Sequence, residues 1–195
     1  FFLQNVKGYP TQIVGLFMMA SPIVMGITAP VAGSLSDRFG SRPISLIGLL
    51  VLMVGCLAVG TIHPDVTPLG IVLRLIPFGA GLGIFQSPNN SAIMGTAPRE
   101  RLGVASGLMS LSRTLGNSTG LPLMGSIFAG RVLSMAALPA GSEPTTAPVS
   151  ALVGGVTLVY FVSAGILVVV IALAVFSLLR HRRLSPSPRK ASAEE

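Results

Sequence analysis

The sequence predicts an all-α membrane protein with five transmembrane helices. Three observations carry that prediction. Of 195 residues, 51% are hydrophobic and only 10% are charged, with a mean hydropathy of +0.79; that is too little charge to cover a soluble domain. The apolar runs reach the roughly 20 residues that a helix needs to cross a bilayer. The charges gather in short turns between those runs, as they do in the loops of membrane proteins. The net charge of +7 therefore reads as topogenic, and no nucleic-acid partner is expected. The single cysteine, Cys56, lies inside an apolar run, where it has no intrachain disulfide partner and no metal-ligand spacing.

Residues 1–10 read as the end of an earlier span and a loop broken at Lys7, Gly8 and Pro10. The chain opens on Phe1-Phe2-Leu3 with no charged region before an apolar core, so no signal peptide is read here and a longer parent protein is expected. The first helix is predicted at about residues 11–35, with Pro22 and Pro30 inside it. Membrane helices tolerate proline because neighbouring groups satisfy the freed carbonyls, and kinks are expected there. The second, at about 44–62, is almost uniformly apolar and is expected to face lipid or pack with little chemistry; His63-Pro64-Asp65 ends it. The third runs from about 68 to 94 and the fourth from about 102 to 129, joined by Ala97-Pro98-Arg99-Glu100-Arg101. Residues 131–150, rich in Pro, Ala, Ser and Thr, read as a loop. The fifth helix, about 152–179, is closed by Arg180-His181-Arg182-Arg183. Residues 1–184 thus form the transmembrane region, and 185–195 a cytoplasmic tail.

Alternating turns divide the basic residues unequally. Arg38, Arg42, Arg99, Arg101, Arg180, Arg182, Arg183, Arg189 and Lys190 fall on one side, and only Lys7 and Arg131 on the other. The positive-inside rule makes the first side cytoplasmic and places the C-terminus there.

Two features carry the functional reading. The first is the turn Gly33-Ser34-Leu35-Ser36-Asp37-Arg38-Phe39-Gly40-Ser41-Arg42-Pro43. Asp37 is expected to precede the second helix, where a carboxylate favours a helix N-terminus and pairs with Arg38 or Arg42. A latch made and broken between conformations and an ordinary cap with topogenic charges are both compatible with those charges. The second is a polar stripe. Ser106, Ser110, Arg113 and Asn117 follow helical spacing on the fourth helix. Arg113 lies about 18 Å from the cytoplasmic turn, near mid-bilayer. A charge at that depth costs several kcal/mol unless it faces protein or water, so Arg113 is expected to point into the bundle or a cavity. Gln86, on the third helix, lies at the same depth, with Asn90 four residues on along the same face and Asn89 beside it. They line a substrate path, or they hydrogen-bond between helices and merely hold the bundle together. Arg74, about 9 Å from the outer end, is close enough to snorkel.

The pairs Gly79/Gly83, Gly103/Gly107 and Gly116/Gly120 are small-xxx-small pairs that allow close helix approach. Gly79-Ala80-Gly81-Leu82-Gly83 follows no strand and lacks the dinucleotide-binding spacing, so no nucleotide cofactor is expected, nor any metal.

The turn resembles the loop signature of the major facilitator superfamily, roughly Gly-x-Leu-Ala-Asp-Arg-x-Gly-Arg-Lys. Gly33, Leu35, Asp37, Arg38, Gly40 and Arg42 fit it; Ser36 and Ser41 depart from it. Leu3-Gln4-Asn5-Val6-Lys7-Gly8-Tyr9 and Ala105-Ser106-Gly107-Leu108 with Arg113, Leu115 and Gly116 are similar to the fourteen-span drug:proton antiporters. The resemblance covers residues 1 to about 130. It implies a partial C-terminal half of that fold, alternating access around a central cavity, and proton-driven efflux of small hydrophobic, often cationic, compounds. The implied partners are a small-molecule substrate, protons, the lipid bilayer and the missing N-terminal half. None of the predicted spans contains Asp or Glu, so a proton-coupling carboxylate would belong to that other half.

Rival readings are a superfamily transporter of a metabolite or anion, for which Arg113 is equally suited, and a five-span scaffold, which leaves the Asp37 turn unexplained. An intramembrane enzyme is disfavoured. His63 and His181 sit at span ends, and there is no acid pair in a span and no Gly-x-Ser-x-Gly.

Overall fold

The computed structural model describes residues 8–63, 66–139 and 141–184, with side chains to residue 179. The protein is all-α. Its helices are α1 (Thr11–Met18), α2 (Ala20–Phe39), α3 (Ser41–Gly60), α4 (Pro68–Thr96), α5 (Leu102–Ala136) and α6 (Val149–Leu184), with single 3₁₀ turns at Arg99–Arg101 and Pro144–Thr146. The expectations for Lys7, Asp65 and the tail 185–195 lie outside the described residues, as do those for the side chains of Arg180, Arg182 and Arg183.

α1 and α2 form one rod, Thr11–Phe39, of 29 residues. The interruption has a local cause: Pro22 has no N–H to give the Met18 carbonyl one turn back. Met19 keeps right-handed dihedrals (φ −67°, ψ −19°) and accepts from Ile23 N–H at 3.0 Å, so the ladder resumes at once. The rod extends past Leu35, where the sequence reading ended it, and stops at Gly40 (φ 89°, ψ 149°), whose N–H closes on Ser36 C=O at 2.9 Å. That backbone conformation is essentially restricted to glycine, so one residue reverses the chain and α3 starts at Ser41. Thr67 caps α4, accepting from Gly70 N–H at 3.2 Å, with Pro68 in the first turn. α5 ends on Ala137 in the left-handed region (φ 50°), and Leu138 N–H returns to Leu133 C=O at 3.1 Å.

Among the described residues four helices are long and apolar enough to cross a membrane: the α1–α2 rod, α3, α4 and Val149–Leu179 of α6. The fourth predicted helix of the expected five corresponds to α5. α5 is the longest but one, at 35 residues, and falls short on apolarity because Ser, Thr, Asn, Gly and Arg113 fill its middle. The exterior is apolar: Leu16, Ile27, Phe39, Leu121, Leu173 and Phe176 are all exposed. Ser36 is the buried polar residue, and its hydroxyl donates to Gly33 C=O at 2.8 Å. Apolar outside and internally satisfied inside is the arrangement a bilayer requires.

α4 is the central rod, packed on α2 along one flank and α3 along the other. Glycine makes both contacts possible. A Cβ on Gly79 would overlap the Ser21 carbonyl of α2, and one on Gly83 would overlap Met25 and Thr28. Across the other interface, Gly48 and Gly55 of α3 sit on the backbone of Phe85 and Phe78, while Gly81 of α4 sits on that of Leu52. Of the two expectations for α3, packing with little chemistry is the one the structure meets. α3 buries Gly48, Leu52, Gly55 and Val59 in one stripe and is covered by α6 on another side. α6 also packs on α5 through Gly154 and Gly155, which meet Met135, Val132 and Phe128. Val132, Ala151 and Leu152 form a small core there with Ala147 from the preceding loop.

Candidate functional site

α4 and α5 follow one another in sequence yet barely touch. Between them lies a cavity of about 620 Å³, within the 300–1,000 Å³ common for small-molecule sites. α4 contributes Leu82, Phe85, Gln86, Asn89, Asn90 and Ile93, and α5 contributes Ala105, Leu108, Met109, Ser112 and Arg113. Each set follows the i, i+3/i+4 spacing of one helical face. Gln86 is ten residues from the end of α4 and Arg113 eleven from the start of α5, so both lie about 15–17 Å from the charged end.

Gln86, Asn90 and Arg113 are thus brought together in one cavity, joined by Asn89 and by Ser112, which the sequence reading missed. Ser110 and Asn117 do not line it; both are exposed. The cavity-facing residues of α5 are centred about one residue, or 100°, around the helix from the stripe Ser106/Ser110/Arg113/Asn117. Arg113 stands where the two faces meet. Serine and asparagine marked one side of the helix, whereas its inward side is signalled by the mixed set Leu108, Met109 and Ser112.

Gln86, Asn89 and Asn90 are half-buried and Arg113 is exposed to the cavity side. Among the described residues none of these four side chains makes a hydrogen bond or ion pair, and no such bond joins α4 to α5. Within this chain the amides do not serve as glue between the two helices. No carboxylate lines the cavity among the described residues; its one formal charge is Arg113. The other intramembrane arginine, Arg74, is committed locally: it donates to Gly70 C=O at 3.0 Å, one turn back toward the nearer helix end.

The Gly40 turn stands at the same end as the α4–α5 connection. A crevice of about 440 Å³ is bounded by Phe39, Gly40, Ser41 and Arg42, by Thr96 of α4 and by Leu178 of α6. A second, of about 310 Å³, lies between α3, α4 and α6 and is lined by Arg42, Ser45, Asn89 and Ser177. Asn89 therefore borders both this crevice and the larger cavity. Gly33 packs on α4: a Cβ there would come within 3.2 Å of the Ser87 hydroxyl.

Asp37 differs from expectation. It does not precede a helix but occupies the last turn of α2, with Arg38 beside it, and α3 has no side-chain cap. The reason is the single-residue turn, which leaves no room for a capping loop. A carboxylate in a final turn opposes the helix dipole, and Asp37 pairs with neither Arg38 nor Arg42 among the described residues.

A chain with a largely apolar exterior, several helices of membrane-spanning length and a drug-sized cavity, mainly apolar with a few polar groups, between two of its rods has the build of a membrane transport protein. The sequence comparisons are specific about which kind. A family profile described as Major Facilitator Superfamily matches residues 1–121, and the chain belongs to that superfamily. It is 36% identical over 124 residues to "Uncharacterized transporter YebQ" of Escherichia coli (strain K12), covering 64% of this chain and 27% of that protein. It is 34% identical over 128 residues to "Multidrug resistance protein Stp" of Mycobacterium tuberculosis (66% of this chain, 24% of the relative). It is 30% identical over 129 residues to "Riboflavin transporter RibZ" of Clostridioides difficile (strain 630) (66% and 28%). The chain spans about a quarter of the length of these relatives.

Proposed function

We propose that this chain is part of the C-terminal half of a proton-driven exporter of drugs or other small hydrophobic compounds, of the fourteen-span kind, working by alternating access. The observation that carries the proposal is the cavity between α4 and α5, which holds three amides and a deep guanidinium with their hydrogen-bonding capacity unspent. A charge at that depth is retained where it has a task. The relatives named for multidrug resistance and for riboflavin transport support a path for amphiphilic solutes of modest size. In this reading α5 crosses the membrane with its polar side turned to the path and to the companion half. The carboxylate that exchanges protons belongs to that other half.

The Gly40 turn, the α4–α5 turn and the end of α6 lie together, and they carry most of the basic residues. By the positive-inside rule that end faces the cytoplasm of a cell membrane. Gly33, Asp37, Arg38, Gly40 and Arg42 then form a cytoplasmic latch. Asp37, left without a partner and against the helix dipole here, is free to bond across the two halves in one conformation and release in the other.

The test uses the complete transporter in cells stripped of other exporters. Accumulation of a panel of hydrophobic dyes and drugs of either charge is followed with and without a proton uncoupler. Lower accumulation that the uncoupler abolishes is expected, with at least a tenfold loss of rate in Arg113→Ala at normal protein levels. Uncoupler-insensitive accumulation, or full export by Arg113→Ala, refutes it.

A further inference from the structure

We infer that the solute admitted to the α4–α5 cavity carries a carboxylate or a comparable anionic head, held by Arg113, on an apolar body. This rests on the cavity being a solute path and specifies what it selects. The resemblance implies hydrophobic, often cationic, compounds, and the lining points away from the cations.

Among the described residues the cavity has one formal charge, and it is positive. A cation needs a carboxylate or a cluster of aromatic faces; the lining offers no carboxylate and one ring, Phe85. A monocation about 6 Å from the guanidinium, at an effective dielectric constant of roughly 20, would be disfavoured by about a hundredfold in binding. An anion reverses that sign. The guanidinium fork matches a carboxylate in two parallel hydrogen bonds. Among the described residues Arg113 has no acid to release first. Ser112 sits beside it as a further hydroxyl donor, and Gln86, on the facing helix at the same depth, supplies an amide N–H. Leu82, Phe85 and Leu108 provide the surface for a flat apolar body. The volume, about 620 Å³, admits a molecule of two or three fused rings.

The test uses the purified complete transporter and two probes of equal body and opposite head, 2-naphthoate and 2-naphthylmethylammonium. Calorimetric titration of the wild type should show tighter binding of the naphthoate. Arg113→Gln should weaken naphthoate binding ten- to a hundredfold and leave the ammonium probe unchanged or tighter. Arg113→Lys should recover part of the loss, since a point charge lacks the fork. Should Arg113→Gln not fold, the wild type still decides: naphthoate should raise its melting temperature and the ammonium probe should not. Equal or tighter binding of the ammonium probe, no binding of naphthoate, or naphthoate affinity indifferent to Arg113→Gln overturns the inference. Proteoliposome flux separates the two readings. Naphthoate that binds through Arg113 but is never moved sinks the transport reading and leaves the anion site. Movement of the ammonium probe as fast as that of naphthoate, and slowed in Arg113→Gln, does the reverse.

Discussion

Substituting Gly48 by alanine tests the packing on which the cavity is mounted. Gly48 has no side chain because the backbone of Phe85 occupies the space one would need. A Cβ there would stand 2.7 Å from Phe85 Cα, and closer still to its amide nitrogen. Ordinary carbon–carbon contact is about 3.5–4.0 Å, so α3 and α4 must separate by roughly 1 Å. Such a gap forfeits a quarter to a half of each contact's well of about 0.1–0.2 kcal/mol. Over a few tens of atom pairs along the interface that sums to about 1–3 kcal/mol, the usual range for overpacking. Gly165 of α6 is the control, because a Cβ there meets nothing within 4 Å in this chain. Gly165→Ala should be neutral, or stabilising by up to about 1 kcal/mol from helix propensity. Gly48→Ala and Gly55→Ala combined should cost less than their sum, since one displacement of α3 relieves both. The assay is thermal unfolding in detergent. Maleimide labelling of Cys56, which is 3% exposed on α3, serves as the local readout and should speed up in Gly48→Ala. Equal melting temperatures for Gly48→Ala and Gly165→Ala, with Cys56 equally protected, would refute the glycine-seated interface.

Three further outcomes follow from the same geometry. Ala137→Gly should stabilise the protein by about 1 kcal/mol, because glycine adopts the left-handed dihedral at φ 50° without the penalty a Cβ incurs; a small rise in melting temperature checks it. Gly40→Ala should cost about 1–3 kcal/mol, since its conformation suits glycine alone, and an unchanged melting temperature would contradict the single-residue turn. Asp37→Asn should leave stability unchanged or raise it by about 0.3–1 kcal/mol, as it removes a negative charge from a helix C-terminus. Its transport rate should nonetheless fall; an unaltered rate would defeat the latch.

Much of the architecture was legible in the residues. Apolar runs of membrane length, prolines tolerated within them and charges confined to turns predicted an all-helical membrane chain. The turn at residues 33–43 also pointed to the family before any coordinates. Boundaries were less legible. Leu35 looked like a helix end because Asp37 and Arg38 suggest a polar loop, yet helical geometry persists until a residue with positive φ breaks it at Gly40. Which side of α3 packs was not legible for a related reason. In a uniformly apolar segment no polar face marks the packed side, and the usable signal was the recurrence of Gly48 and Gly55 seven residues apart. The reverse error fell on Gly103/Gly107 and Gly116/Gly120, whose spacing is that of a packing pair but which face open space in this chain. For the candidate site, depth arithmetic placed Gln86 and Arg113 at one level, helical spacing put Asn90 on the face of Gln86, and the three share a cavity. Ser110 and Asn117 were assigned by polarity, which marks a face of α5 but not which neighbour that face meets.

The seats beneath α4 bring main chain against main chain rather than side chain against side chain. Peptide surfaces are alike whatever residues bear them, so most neighbouring positions can drift in sequence without changing the spacing between rods. Apart from the hydroxyls of Thr28 at Gly83 and Ser87 at Gly33, they also hold few rotamers to re-sort if one rod slips along another by a fraction of a turn. A bundle jointed in this manner behaves as a bearing as well as a wall: rigid across its width and compliant along its length.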